Sequence, residues 1–507
     1  MKRLLLCALI SSPLIAKSPK NFILVIGDGM GMQQIKLLEY YLNASQQQTK
    51  NQFHRLDQNG KLFLTSTEAY EAITTDSAAA ATHFAIGMMS RPGMVGLKYD
   101  GTPQRTLLDD AKKRGMSTGF ISNTRITHAT PAAFLAHQIS RKMDPEIASD
   151  IIQSGVDVML SGGFEAFLPK TVNDQTHSTY KQYRRLIPKE RAVQSARLDE
   201  RDLIREAQNN GIAVVFDHPT LDAANALPIL GLFSPRSMDD VMTGASQQNH
   251  SPRAPTMDEM TSKALSLLAR NPKGFFLVVE FGQIDWAAHY NDLGYLLEQM
   301  IMTNTILSKL IDWVEKDKDT ALLVTADHET GGLGFTYSSR NIAPSFTLNQ
   351  TKYEPRYSHG QETMLLDWKK QKRKGLSVLK EFLALDLQAR KAEAMKKLVN
   401  DSYPVKISTA EATLLVRTID SSGLKDYRDM ESYDQFLANY YNGEIYRFLG
   451  VLARVTLRDY PIVWGTGTHT SNPVASWIYG FPSAGQYFKG IMHATEVHHG
   501  IRKVLDL

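Results

Sequence analysis

The sequence is nearly free of cysteine: among 507 residues the only one is Cys7. It lies inside an N-terminal apolar run, so the chain beyond that run has no disulfide and no thiolate metal ligand. Any metal must then be held by Asp, Glu and His. Long apolar runs are also lacking. The N-terminal one, Leu4 to Ala16, is broken by Ser11, Ser12 and Pro13 and is too short to span a bilayer. Preceded by Lys2 and Arg3, it has the order of a secretory leader, with cleavage expected after Ala16 and delivery to the periplasm or the medium. There is no strong excess of either charge, since 57 Lys and Arg face 53 Asp and Glu for a formal net charge of +4. That balance makes no electrostatic case for a nucleic-acid or membrane-surface partner. Internal repeats, low-complexity tracts and Pro/Gly/Ser-rich linkers are absent as well. Residues 17–507 therefore read as one domain, and a content of 43% hydrophobic and 22% charged residues is that of a globular chain.

What the chain does have is a series of short, continuous apolar segments. They are Asn21–Gly27, Ser117–Ser122, Val156–Leu160, Ile212–Phe216, Phe275–Glu280, Ala321–Ala326 and Ile462–Gly465. Helical patterns separate many of them, among them Pro131–Arg141, Met257–Ala269 and Leu293–Glu315. Non-alternating apolar strands that alternate with helices predict an α/β fold, with a large, mostly parallel sheet covered by helices on both faces. The stretch of about 335–460 differs. It carries the basic run Lys369–Lys374, a charged amphipathic pattern at Leu376–Val399, and tyrosines at 427, 433, 440, 441 and 446. It reads as a mostly helical insertion, with the basic run as a solvated helix face.

Ser77 opens the run Asp76-Ser77-Ala78-Ala79-Ala80-Ala81. A serine there sits at a helix N-terminus, where unpaired amides and the helix dipole favour an anion such as phosphate. On this stretch alone, a capping serine is the commoner reading. The acids and histidines elsewhere add weight to a chemical role. Asp28 directly follows the first strand. Glu280 ends another, with Asp285 and His289 close behind. Asp327 and His328 end a third, and His469 follows the last. A charged group directly after a buried strand is costly unless it is solvated, paired or coordinated. Any one of these could be a cap or a satisfied core contact, but four at the same sheet edge point to one shared site.

The residue types suit zinc and magnesium. Asp285 and His289, four apart, share a helix face and can bind one ion. Asp327 and His328 can serve a second ion if the backbone turns sharply. Asp28, between two glycines, can bridge two ions, and Glu280 is a hard oxygen ligand suited to magnesium. In Thr127-His128-Ala129-Thr130-Pro131, Thr130 is predicted to cap a helix that reaches Arg141 about three turns later. A guanidinium can grip two phosphoryl oxygens, although a lone arginine near a helix end more often compensates the dipole.

Taken together, Asp76-Ser77-Ala78, Thr130-Pro131 with Arg141, Glu280 with Ile284-Asp285 and His289, Ala326-Asp327-His328-Glu329-Thr330-Gly331-Gly332, and Thr468-His469-Thr470 resemble the alkaline phosphatase family. The blocks run in the family's order across nearly the whole chain. The resemblance implies a phosphomonoester hydrolase with Ser77 as the nucleophile that becomes phosphoserine and Arg141 as the phosphoryl clamp. It implies a first zinc on Asp285, His289 and His469, and a second on Asp327, His328 and Asp28. It further implies a magnesium on Asp28, Thr130 and Glu280, and a homodimer. Where this chain has His128 and Trp286 beside the substrate site, some members have Asp and Lys. The His/Trp pair implies a third site at which cobalt or manganese could replace magnesium. The insertion resembles the enlarged crown loop of the Vibrio-type enzyme. The alternatives are a phosphodiesterase of the same superfamily and a non-catalytic periplasmic phosphate- or metal-binding protein. A sulfatase is excluded because Asp76-Ser77-Ala78-Ala79-Ala80 lacks the Cys/Ser-x-Pro-x-Arg pattern.

Overall fold

A computed structural model describes residues 18–46, 49–244, 253–419 and 444–507. The N-terminal apolar run with Cys7 and Ala16, which was expected to be a secretory leader, and Tyr427, Tyr433, Tyr440 and Tyr441 lie outside these residues. The described chain holds a 10-stranded sheet wrapped by helices. Its strands are β1 (Asn21–Gly27), β2 (Lys61–Ser66), β3 (Ser117–Arg125), β4 (Val158–Gly162), β5 (Ala213–Val215), β6 (Ile229–Leu232), β7 (Phe275–Glu280) and β8 (Thr320–Ala326), with two further strands near the C-terminus. Four short strands form ribbons outside it: β9 (Glu329–Thr330) with β14 (His469–Thr470), and β10 (Leu333–Phe335) with β13 (Ile462–Trp464). An exposed hairpin joins β11 (Phe346–Leu348) to β12 (Thr351–Tyr353). The late sheet strands are β15 (Val474–Tyr479) and β16 (Ile491–His493). The order across the sheet is β16-β2-β15-β8-β1-β7-β3-β4-β6-β5, and only β15 runs antiparallel to its neighbours.

The continuous apolar strands have a direct cause. Along β1, Ile23 and Val25 pack into one buried cluster, while Phe22, Leu24 and Ile26 pack into another on the opposite face. β7 divides in the same way, with Leu277 and Val279 on one side and Phe276 and Val278 on the other. A strand buried on both faces has no polar side to show, so the alternation disappears. Helices Met32–Ser45, Met257–Leu268 and Leu293–Lys316 cover one face. Helices Ser77–Ile86, Leu107–Lys113, Ala129–Leu135 and Ala494–Leu505 cover the other.

The structure corrects several expectations. The strand expected at Ile462–Gly465 forms, but in the β10/β13 ribbon rather than the central sheet. β2, β6, β15 and β16 were not expected. β2 mixes exposed and buried positions, β6 and β16 are short, and β15 contains Ser476 between its apolar residues. The helix expected to run from Pro131 to Arg141 stops at Leu135. Beyond it Gln138 and Val95 exchange backbone hydrogen bonds, and the Arg141 amide donates to Gly93 at 2.7 Å, so tertiary pairing outcompetes the helix. The basic run Lys369–Lys374 is not a helix face. It links helices Leu365–Trp368 and Gly375–Leu383, and Lys369, Lys370, Arg373 and Lys374 pair with Glu298, Asp367, Glu381 and Asp240.

The insertion is helical over Gly375–Leu383, Ala392–Ser402, Thr409–Ile419 and Glu444–Leu457, with the β11/β12 hairpin as an unexpected addition. Its Trp368, Phe382, Met395 and Leu449 belong to the same buried cluster as one face of the sheet. Asp292 ties it down. Its Oδ1 accepts from Gln371 Nε2 at 2.7 Å, and its Oδ2 accepts from the Gly375 amide at 2.7 Å and the Tyr403 hydroxyl at 3.3 Å. No helix among the described residues is long and apolar enough to cross a membrane.

Candidate active site

Three adjacent strands, in the order β8-β1-β7, deliver most of the site. Gly27 of β1 registers with Ala326 of β8, and Ile26 of β1 registers with Glu280 of β7. Asp28 therefore emerges between Glu280 on one side and Asp327 with His328 on the other. That central position explains how it joins two clusters of ligand atoms, Asp28/Asp327/His328 and Asp28/His128/Glu280. A third cluster is Asp285/His289/His469, and within each cluster the atoms lie within 4.8 Å of one another. Asp285 and His289 share one face of the short helix Gln283–His289, as their spacing predicts. His469 comes from a different source than expected. It is carried by β14, whose pairing sets it opposite Thr330 of β9.

The turn after β1 demands glycine. Gly29 has φ +74°, and a Cβ there would lie 2.7 Å from the Asp285 backbone. Its amide instead donates to Asp327 Oδ1 at 3.1 Å.

Ser77 is buried at the start of helix Ser77–Ile86, but it is the first helical residue and not the cap. Asp76 is the cap, with Oδ1 accepting from the amides of Ala79 and Gly93 at 3.0 Å each. Its Oδ2 accepts from Arg141 Nη1 at 3.0 Å. Burial pushes the Asp76 carboxyl up, but Arg141 and these amides outweigh it and hold it below the usual value. The Ser77 hydroxyl lies 3.4 Å from Asp28 Oδ1 and 3.2 Å from His328 Nε2. Arg141, on the loop past the short helix, reaches back to this point.

The hydrogen bonds fix the histidine tautomers. His289 Nδ1 faces the Gly467 carbonyl at 2.8 Å and His469 Nδ1 faces that of Thr75 at 2.9 Å, so both Nδ1 atoms must donate. Thr330 gives its only proton to Asp285 Oδ1 at 2.6 Å, so toward His328 Nδ1 at 3.2 Å it can only accept. All three rings, when neutral, thus turn an Nε2 lone pair inward. His289 Nε2 and His469 Nε2 stand 3.0 Å apart. Two facing lone pairs at that distance repel unless a cation or proton lies with them.

Asp28, Asp327 and Glu280 repeat the theme, each with one oxygen hydrogen-bonded and the other not. Glu280 Oε2 accepts from Ser122 and from Thr124, the latter at 3.3 Å. Asp28 Oδ2, Asp327 Oδ2, Glu280 Oε1, Thr130 Oγ1 and His128 Nδ1 are buried and make no hydrogen bond. Orphan buried polar atoms are rare in folded proteins, and acidic ones converging on a point suit divalent cations. Burial, reinforced by the neighbouring carboxylates, pushes the Asp28 and Asp327 carboxyls up. Burial also raises Asp285, but His289 and His469 outweigh it and hold that carboxyl well below its usual value. Burial lowers His328 and His128 and keeps them neutral, the form that ligates.

His128, not Thr130, occupies the cap position of helix Ala129–Leu135. Its Nε2 lies 3.3 Å from Arg141 Nη2, which can only donate, so Nδ1 then carries the proton. That proton points toward Glu280 Oε1, 3.9 Å away. A neutral imidazole has one lone pair, so His128 cannot serve Arg141 and a cation at once. Trp286 is half-buried and sets its ring edgewise to His128, with centroids 5.7 Å apart. Asp76, Ser122, Thr124 and Thr330 were not foreseen as site residues. Only Asp76 carries a local signal, as an acid directly before the serine that opens the alanine run.

The fold and site define a class: an open α/β protein whose central strand ends hold a buried serine, an arginine and three clusters of metal-type donors. Comparison with known proteins places it further. The alkaline phosphatase family model matches residues 19–507. Alkaline phosphatase 3 of Bacillus subtilis is 27% identical over 502 residues, 96% of this chain and 89% of that protein. Alkaline phosphatase 4 of the same organism is 30% identical over 320 residues, 62% of either chain, so the match spans under two thirds of that relative. The crystal structure of the cold-active alkaline phosphatase from a psychrophilic Shewanella superposes with a TM-score of 0.68 at 25% identity, covering 96% of this chain and 99% of that one. The chain belongs to the alkaline phosphatase family.

Proposed function

We propose that this chain hydrolyses phosphomonoesters through a phosphoserine at Ser77, releasing inorganic phosphate. The observation that carries the reading is the Ser77 hydroxyl itself, buried beside Asp28 and His328 with Arg141 anchored next to it by Asp76. Asp327, His328 and Asp28 would hold one zinc, and Asp285, His289 and His469 another. Asp28 and Glu280, together with Thr130, whose hydroxyl is buried and makes no hydrogen bond, would hold a magnesium, replaceable by cobalt or manganese. When bound, these cations would supply Lewis-acid charge to the attacking and departing oxygens.

The protein's own groups set the order of events. Ser77 Oγ gives up its proton and bonds to phosphorus as the alcohol oxygen departs on the opposite side and takes up a proton. Because Ser77 sits against the Asp28/Asp327/His328 cluster, the departing oxygen faces the other triad, Asp285/His289/His469. Water then enters from that side, and its oxygen bonds to phosphorus as the phosphoserine bond breaks and Ser77 Oγ regains a proton. Two in-line displacements give net retention at phosphorus. Arg141 grips two nonbridging oxygens, and its fork disfavours a diester, which has one fewer charged oxygen. The Asp76 cap consumes the Ala79 amide, so that amide is not free to bind phosphate.

The test is p-nitrophenyl phosphate hydrolysis at alkaline pH by wild type, Ser77→Ala and chelated enzyme with zinc and magnesium restored, with metal content measured alongside. Wild type turns over, and Ser77→Ala and chelated enzyme lose activity. Undiminished turnover by Ser77→Ala would remove the phosphoserine. The N-terminal leader supports a periplasmic or secreted location, which fractionation of the expressing cell checks. The homodimer that the family implies is checked by sedimentation.

A further inference from the structure

Helix Gln283–His289 presents two neighbouring stripes. Asp285 and His289 form one, and Trp286 and Tyr290, also four apart, form the next. Both aromatics are half-buried. The insertion extends this second stripe. Tyr446, half-buried on helix Glu444–Leu457, places its ring 6.2 Å from that of Tyr290 at an interplanar angle of 41°. At the other end of the row, Trp286 meets His128 beside Arg141. The aromatic row Trp286–Tyr290–Tyr446 thus flanks the side of the site that faces the departing alcohol.

We infer that the insertion supplies a specificity-determining residue, Tyr446, which with Tyr290 and Trp286 forms a platform for flat aromatic leaving groups, nucleosides above all. The inference rests on the phosphomonoesterase reading above. Aromatic faces stack on any nucleobase with little dependence on its hydrogen-bonding edge, so the preference is for a base over none and not for one base over another.

The matched probes are adenosine 5′-monophosphate and ribose 5-phosphate, whose departing oxygen is the same primary 5′ position and which differ by the base. The readout is the ratio of their kcat/KM values on one preparation, which is independent of the active fraction. Wild type is expected to favour the nucleotide by about tenfold, the effect of one stacked base. Tyr446→Ala brings the ratio to about threefold or below, and Tyr446→Phe, which keeps the ring, retains it. A wild-type ratio near one, an unchanged ratio in Tyr446→Ala, or an equal loss in Tyr446→Phe overturns the platform. If Tyr446→Ala does not fold, inhibition of wild-type ribose 5-phosphate hydrolysis by adenosine decides, competition supporting the platform and its absence overturning it. Failure of wild type to hydrolyse either substrate sinks the phosphomonoesterase reading instead.

Discussion

Thr330 is the side chain through which two of the three ligand clusters communicate. It donates to Asp285 Oδ1 at 2.6 Å and accepts from His328 Nδ1 at 3.2 Å. Replacing it with valine keeps the shape and removes both bonds. The bond to the ionised Asp285 belongs to the class worth about 1.5–3 kcal/mol, and the one to His328 to the neutral class near 1 kcal/mol. Loss of such a partner behind a ligand typically weakens metal binding about 10–100-fold, or about 1.4–2.7 kcal/mol, which agrees with the larger of these two terms. The distribution of the loss is the sharper expectation. Thr330 touches one ligand of each triad proposed to hold zinc, so Thr330→Val is expected to weaken metal binding at both, whereas a change confined to one triad would weaken one. Chelator competition with zinc counted per chain reads this directly. Thr330→Ser keeps the hydroxyl and restores both affinities. Wild-type zinc affinity in Thr330→Val would refute the reasoning, as would an equal loss in Thr330→Ser.

Three other expectations follow from the packing. His83, within the Ser77 helix, and His498, on helix Ala494–Leu505 packed against it, are both buried, and burial holds them down to about 3 and about 4 respectively. The unfolded chain takes up their protons near pH 6.5 and the fold does not, so stability present above about pH 6.5 falls by about 1.4 kcal/mol per pH unit from each as the pH drops toward 4. Thermal unfolding between pH 8 and 4.5 measures this, and a slope unchanged in the His83→Gln/His498→Gln double variant would contradict it. Asp292→Ala strands buried donors from Gln371, Gly375 and Tyr403, and is expected to cost about 3–5 kcal/mol and to loosen residues 365–403 in hydrogen exchange. Wild-type protection there would argue against Asp292 as the tether. Gly29→Ala forces a Cβ to 2.7 Å from the Asp285 backbone at φ +74° and is expected to destabilise by more than about 1 kcal/mol and to lower metal content. An unaffected melting temperature and metal count would show that the turn relaxes freely.

Much of the site could be read from the sequence because its signals are local. Asp28, Glu280, Asp327 and His328 each end an apolar strand, and the four-residue step from Asp285 to His289 is a helical property independent of the rest of the chain. What failed was of longer range. Arg141 was placed on a helix that ends at Leu135, since nothing local reveals the pairing of Gln138 with Val95. His469 was credited to a central strand, although its ribbon with β9 is set by a partner more than a hundred residues away. Asp76 was overlooked because a cap and a phosphate-site serine occupy adjoining positions and only coordinates separate them.

By itself, then, the sequence determined the chemistry: oxygen and imidazole donors with no thiolate beyond the N-terminal run, strands buried on both faces, and a serine at the head of an alanine helix. These follow from side-chain identity and from periods of two to four residues. Tertiary structure alone decided which strand ends meet, that β1 lies between β8 and β7 so that Asp28 is shared, which nitrogen of each histidine is bare, and that the insertion sets Tyr446 beside Tyr290. Those outcomes depend on crossover order and on hydrogen bonds between distant segments, which no local pattern encodes.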